Sequence, residues 1–226
     1  MANDIRGLMK ALDYTFAQPE LLRQAMTHRS AGGAHYERLE FLGDSVLSFM
    51  ISERIYAHFP AADEGDLSRV RARLVKGDTL AEIASEMGIS DYLRMGSGEM
   101  KSGGRRRESV MADAVEAIIG ALYLDGGLEP CQALVERYFQ PRLLALPPLT
   151  RLKDPKTRLQ EYLQGRRRPR PEYELVESVN NNATHASRFV VHCSVDGIDQ
   201  PVRGEGETRR KAEQAAAEAA LEQLGA

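Results

Sequence analysis

The residues most able to do chemistry in this chain are carboxylates. Glu37, Glu40 and Asp44 lie in Glu37-Arg38-Leu39-Glu40-Phe41-Leu42-Gly43-Asp44-Ser45. A rotation of about 100° per residue puts all three on one arc of a helix. Asp113 and Glu116 are spaced i, i+3 within Ala112-Asp113-Ala114-Val115-Glu116-Ala117-Ile118-Ile119-Gly120, again on one face. Carboxylates at helical spacing commonly form only a solvated face, and that reading stands beside a functional one. Two features weigh against it: both helices are otherwise apolar enough to be central, and neither carries lysines spaced to neutralise the acids. Carboxylates gathered in a partly buried site repel one another and stay ionised only when a cation compensates. An oxygen-only ligand set suits Mg²⁺, with Mn²⁺ as a substitute. A hydrated ion so held supplies a nucleophilic water and stabilises charge on a transferring phosphoryl group. The other route to phosphodiester cleavage uses a paired general acid and base. The five histidines, His28, His35, His58, His185 and His192, form no motif for it.

The elements that must position these acids fall into two groups. The pair Pro147-Pro148 removes backbone donors and restricts its neighbours, so the stretch Leu146–Thr150 should break regular structure. Domains are expected at 1–147 and 154–226, with a linker at 148–153. Before the linker, apolar residues recur with helical period around 20–28, 37–58, 66–87, 109–124 and 129–144. The first domain therefore reads as all-α. After it, Asp154-Pro155 makes a helix start, with an N-cap carboxylate and a proline in the first turn. Strand-like runs follow at Tyr173–Val176, Phe189–Val195 and Gln200–Gly204, and an alanine-rich helix from Thr208 to Leu224. The small domain is thus α+β, in the order α-β-β-β-α.

Bulk properties constrain the partners less. The net charge of the 226 residues is −3, and the part before the linker is the more acidic. Charge alone does not point to a nucleic acid. No window approaches the roughly 18 consecutive apolar residues of a membrane span, and Met1–Lys10 lacks a signal-peptide core. Cys131 and Cys193 have no partner at metal-ligand spacing, so two reduced thiols in a cytoplasmic protein are expected.

The segment Glu37–Ser45 closely resembles the characteristic sequence of the ribonuclease III family. The resemblance continues in Thr27-His28-Arg29-Ser30, Glu64-Gly65-Asp66-Leu67-Ser68 and Gly96-Ser97-Gly98-Glu99, and in the stretch from Ala112 through Tyr123-Leu124-Asp125-Gly126-Gly127. It covers nearly the whole chain. It implies a metal-dependent endonuclease that hydrolyses double-stranded RNA, leaving 5′-phosphate and 3′-hydroxyl ends with short 3′ overhangs. Processing of ribosomal RNA precursors, structured messages and transfer RNA goes with it. By the same resemblance Glu40, Asp44, Asp113 and Glu116 form the metal site, Asp44 and Glu116 being the most damaging to lose. Glu37 and Glu64 match further acidic positions; a first-turn carboxylate complementing a helix dipole is an equally good reading of Glu64. For His28 a structural hydrogen-bonding role is expected. Arg105, Arg106 and Arg107, in a flexible loop before the Asp113 helix, are placed to hold phosphates.

The small domain resembles a double-stranded-RNA-binding domain. Arg209, Arg210 and Lys211 stand in the first turn of a helix after Thr208, where cations oppose the helix dipole unless an anion is bound. The family's other contact regions match Thr157, Gln160 and Glu161 on the first helix, and His185 in the loop before Phe189. Such contacts read the shape of A-form RNA. The loop Asn180–His185 lacks a Gly-Pro pair common before that histidine, and Arg166–Arg170 reads as solvated surface. One set of carboxylates faces a duplex of two antiparallel strands, so a two-fold homodimer would give one site per strand. Phe41, beside the acidic face, is the candidate interface residue. The main rival is a non-catalytic duplex-RNA-binding protein on the same fold, which would have lost the carboxylates.

Overall fold

The computed structural model describes residues 4–181 and 186–226, and the chain falls into two compact units that divide between Leu146 and Pro147. The first unit is helical: α1 Ile5–Leu12, α2 Pro19–Ala25, α3 Glu37–His58, α4 Glu64–Leu74, α5 Gly77–Glu86, α6 Ser97–Lys101, α7 Glu108–Gly126, α8 Leu128–Tyr138 and α9 Gln140–Leu144. α7 is the central element. Its residues from Val110 to Leu122 are buried apart from Asp113 and Glu116, and it packs against α2, α3, α5 and α8.

The contact between α3 and α7 is made by backbone. A Cβ on Gly43 would lie 1.7 Å from the Glu116 carbonyl oxygen, and one on Gly120 would lie 2.2 Å from that of Leu39. Only hydrogen fits at either position, and this close approach sets the two acidic faces against each other. At the far end of α7, Asp125 accepts from the Tyr14 hydroxyl at 2.9 Å and from the backbone N–H of Ala17 at 2.9 Å and Gln18 at 2.7 Å. That carboxylate pins the chain entering α2.

Several boundaries differ from those the sequence suggests. The 66–87 stretch is two helices, because Lys76 is extended (φ −65°, ψ 144°) and restarts the chain as the N-cap of α5. The 129–144 stretch divides at Phe139, with Pro141 in the first turn of α9. Proline has no N–H to continue the preceding ladder. α1 lies outside the helical stretches read from the sequence; Asp4 caps it by accepting from Arg6 N–H, and Leu8 anchors it in the core.

In the second unit, α10 (Leu149–Leu152) forms a short helix where the sequence suggests irregular chain, Pro148 serving as its N-cap. Then come α11 (Pro155–Gly165), β1 (Glu172–Asn181), β2 (Ala186–Ser194), β3 (Val202–Gly206) and α12 (Arg209–Gln223). β1 runs beyond the expected Tyr173–Val176, and β3 starts and ends two residues later than its reading. The sheet is antiparallel in the order β1-β2-β3, with Tyr173 opposite Cys193 and Val191 opposite Gly204, and a bulge between Leu175 and Glu177. α12 packs on β2 and β3 through Ala216, Ala217 and Ala220, completed by Leu159 and Leu163 of α11. The alanines allow close contact: a Cβ on Gly204 would lie 2.2 Å from Ala216 N. No helix among the described residues is long and apolar enough to cross a membrane.

Candidate metal centre and nucleic-acid surface

The α3–α7 crossing brings three of the expected carboxylates together. Glu40, Asp113 and Glu116 each offer an oxygen, and all three lie within 4.8 Å of one another. Asp44 stands one turn beyond Glu40, exposed, and accepts from Ser48 Oγ at 3.5 Å. It lies outside the tight group, yet its charge acts on both Glu40 and Glu116. Glu37 begins α3 and faces Arg29 at 3.5 Å and His35 at 3.7 Å. Glu64 begins α4 and accepts from Ser68 Oγ at 2.7 Å. It is absent from both the cluster and the cleft beside it.

Burial sets the electrostatics. Desolvation, then the charges of Asp44, Glu40 and Asp113, push Glu116 up to about 8. Glu40 is raised by burial and by Asp113, Glu37 and Asp44. Asp113 is raised by burial against the opposing effects of the Tyr36 hydroxyl and His28. Three carboxylates that resist ionisation side by side fit a divalent cation, which removes the repulsion and takes oxygen donors.

A cleft of about 430 Å³ opens beside the cluster, walled by Glu40 and Asp113 and by His28, Arg29, Tyr36 and Arg107. Tyr36 is missed by sequence reasoning. Its hydroxyl reaches Asp113 Oδ2 at 3.4 Å across 77 residues of chain, a contact that no local spacing announces. His28 is buried and tied to Ser30. In the arginine run, Gly104–Arg106 is a 3₁₀ turn entered through left-handed Gly103 (φ 81°). Within it Arg105 is half-buried and Arg106 exposed, and Arg107 pairs with Glu99 at 2.9 Å.

The small domain corrects one argument from charge. Thr208 caps α12 by accepting from Lys211 N–H at 3.1 Å. The cations of that first turn already have counter-charges: Arg209 meets Glu213 at 2.9 Å, Arg210 meets Asp154 at 3.4 Å and Lys211 meets Glu207 at 2.7 Å. The helix dipole therefore does not by itself demand an anion here. On α11, Thr157 is exposed, Gln160 is half-buried and Glu161 accepts from Lys153 at 3.0 Å. His185 lies outside the described residues. In the Arg166–Arg170 run, Arg166 stacks 3.6 Å over the Tyr162 ring, and Arg168 donates to the Asp196 carbonyl at 3.0 Å.

Residues 18–143 match the family model described as ribonuclease-III-like, and residues 155–224 match that of the double-stranded RNA binding motif. Ribonuclease 3 of Proteus mirabilis is 56% identical over 220 residues, 97% of this chain and 96% of that protein. Ribonuclease 3 of Vibrio vulnificus is 56% identical over 224 residues, 99% of each. Among solved structures, the nuclease domain of ribonuclease III from Campylobacter jejuni superposes with a TM-score of 0.60 at 36% identity, covering 64% of this chain and 99% of that one. A second structure of that domain, described by flexibility in a region involved in dimer formation, gives 0.58 at 39% identity, covering 61% and 99%. The chain belongs to the ribonuclease III family.

Proposed function

We propose that this chain is an endoribonuclease that hydrolyses phosphodiester bonds in double-stranded RNA, giving 5′-phosphate and 3′-hydroxyl ends, with Glu40, Asp44, Asp113 and Glu116 holding Mg²⁺. The observation that carries the reading is the convergence of three partly buried carboxylate oxygens within 4.8 Å, with no lysine or arginine paired to them among the described residues. When bound, the ion would supply an activated water and charge stabilisation at the phosphoryl group, and Mn²⁺ has the same preference for oxygen ligands. The protein's own part is to keep the acids together through the Gly43–Gly120 crossing and to hold Asp113 through Tyr36. Arg29 and Arg107 border the cleft and would exchange their partners Glu37 and Glu99 for phosphates flanking the cut. Glu37 and Glu64 would act at the edge of this site. We place the enzyme in the cytoplasm, where ribosomal RNA precursors and structured messages would be its substrates.

The small domain would hold the duplex. Arg209, Arg210 and Lys211 would exchange their carboxylate partners for backbone phosphates, while Thr157, Gln160, Glu161 and His185 would face minor-groove edges. Arg105 and Arg106 would add phosphate contacts from the first unit. Replacing both Arg209 and Arg210 by Ala is expected to weaken binding to all duplex sequences alike, and to flatten the log–log salt dependence by about 2. Filter binding across a salt series reads both. An unchanged slope would remove these arginines from the interface.

A homodimer would give one acidic site to each strand. Phe41 is 78% exposed at the start of α3, and Leu124 is 50% exposed across an apolar groove shared with Leu21, Leu39 and Leu42. Water contact at so large an aromatic is relieved by a second copy, at about 1.5–3 kcal/mol for each Phe41 buried. Sedimentation of Phe41→Ala should therefore show a dimer weakened at least tenfold. A variant as dimeric as the native chain would move the interface elsewhere. Parallel assays on duplex RNA and duplex DNA test the substrate: only RNA is expected to be cut, and equal cutting of DNA would overturn the proposal.

A further inference from the structure

Two segments that resemble the family, Thr27–Ser30 and Gly96–Glu99, carry none of the clustered carboxylates, yet they form one bracket behind them. His28 N–H donates to the Arg94 carbonyl at 2.9 Å, and Arg94 N–H donates to that of Met26 at 2.8 Å. Gly96 N–H donates to Ser30 Oγ at 3.0 Å. The approach is so close that a Cβ on Gly96 would lie 2.3 Å from the Ser30 carbonyl oxygen. Ser30 in turn fixes the His28 ring: its N–H donates to Nδ1 at 3.2 Å, and its Oγ lies 2.7 Å from the same nitrogen.

That ring stands edge-on to Tyr36, with centroids 5.8 Å apart and planes at 64°. Tyr36 N–H also donates to the Thr27 carbonyl at 3.0 Å. The residue is 3% exposed, and its hydroxyl reaches Asp113 Oδ2 at 3.4 Å. A phenol keeps its proton at neutral pH, so the hydroxyl serves Asp113 as a donor.

We infer that Tyr36 is a positioning residue for the metal site: its hydroxyl fixes the rotation of the Asp113 carboxylate, and the Ser30–His28 pair holds its ring in place. A bond at one carboxylate oxygen determines where the other points, so the ligand is oriented before any ion arrives. The inference rests on the metal-site reading above. Partners that orient metal ligands typically change metal affinity by about 10–100-fold when removed. A neutral donor at 3.4 Å belongs at the lower end of that range.

Calorimetric titration of Mn²⁺ into the metal-free native chain, Tyr36→Phe, Ser30→Ala and Asp113→Asn separates the outcomes. Phenylalanine keeps the ring and its packing. Tyr36→Phe should melt within a few degrees of the native chain in EDTA, bind Mn²⁺ about tenfold more weakly and recover most of the native cleavage rate at saturating Mn²⁺. Ser30→Ala loosens His28 without touching the phenol and is expected to weaken Mn²⁺ binding measurably, by less than Tyr36→Phe does. Native Mn²⁺ affinity in Tyr36→Phe, with Asp113→Asn weakened, would overturn the positioning role and leave the metal site standing. If Tyr36→Phe fails to fold, native affinity in Ser30→Ala overturns the role instead. Native affinity in Asp113→Asn would overturn the metal-site reading itself.

Discussion

Glu116→Gln is expected to bind duplex RNA like the native chain, to cut it at least about a thousandfold more slowly, and to be the more stable protein when metal is absent. The loss of cleavage follows from removing a charged oxygen donor at the centre of the cluster, where the ion's stabilisation of the transferring phosphoryl group amounts to several kcal/mol. The gain in stability follows from linkage. Burial and three neighbouring acids push Glu116 up to about 8 in the folded chain, against an ordinary 4.5. Between those values the folded state holds a proton that the unfolded state has released. Native stability therefore falls as pH rises from about 4.5 to about 8, and the full cost is felt above that. Glutamine cannot ionise and avoids it.

Because Glu116 is only partly buried, solvent screening reduces the cost to about 1–2 kcal/mol. Melting in EDTA should show the variant and the native chain equal near pH 5 and the variant a few degrees higher at pH 8. Adding Mg²⁺ at pH 8 should raise the native chain and leave the variant unmoved. Identical melting curves at both pH values would mean that the acids do not repel one another as their positions require.

Gly43→Ala has the second large effect. In an isolated helix this substitution is favourable by about 1 kcal/mol, because alanine restricts the unfolded chain more. Here the new Cβ would lie 1.7 Å from the Glu116 carbonyl oxygen, and backbone cannot rotate away as a side chain can. α3 and α7 must separate, and Gly120 against Leu39 leaves no slack one turn along. Overpacking of this kind typically costs about 1–3 kcal/mol, and a clash with backbone belongs at the top of that range. The net loss is expected to be about 2 kcal/mol. The same movement parts Glu40 from Glu116, so cleavage should fall further than stability does. Denaturant unfolding together with a cleavage rate at saturating Mg²⁺ separates the two effects. A variant that unfolds like the native chain and cuts at the native rate would contradict the crossing.

Much of the candidate acidic site is legible in the sequence because the acids come in pairs on two helices, and helical spacing is a local property. The structure gathers Glu40, Asp113 and Glu116 and leaves Asp44 outside the tight group. Glu40 with Asp44 and Asp113 with Glu116 can be read from period alone. What brings the two pairs together cannot. Gly43 and Gly120 are ordinary glycines until the helices are seen to touch there. Tyr36 precedes the acidic stretch and shows no special spacing, because its partner Asp113 is set by tertiary packing. Two helix breaks carry a local signal that the apolar period overrides: Pro141 inside an apparent helix, and Gly77-Asp78 after Lys76. The strand residues Leu175, Val176 and Val179 are all substantially exposed, so β1 lacks the clean alternation that would reveal its length. The first-turn cations of α12 mislead in the other direction. Their counter-ions Glu213 and Glu207 are near in sequence, but Asp154 comes from the start of α11 and appears only once the domain is folded.

The most direct test is a gel assay of the native chain on a long perfect RNA duplex, with Mg²⁺ titrated from zero against EDTA. The expected result is a stable protein–duplex complex without the ion, and conversion of the duplex to short 5′-phosphorylated fragments as Mg²⁺ is added. A duplex that stays bound and whole at every concentration of Mg²⁺ and of Mn²⁺ would contradict the assignment of these carboxylates to catalysis.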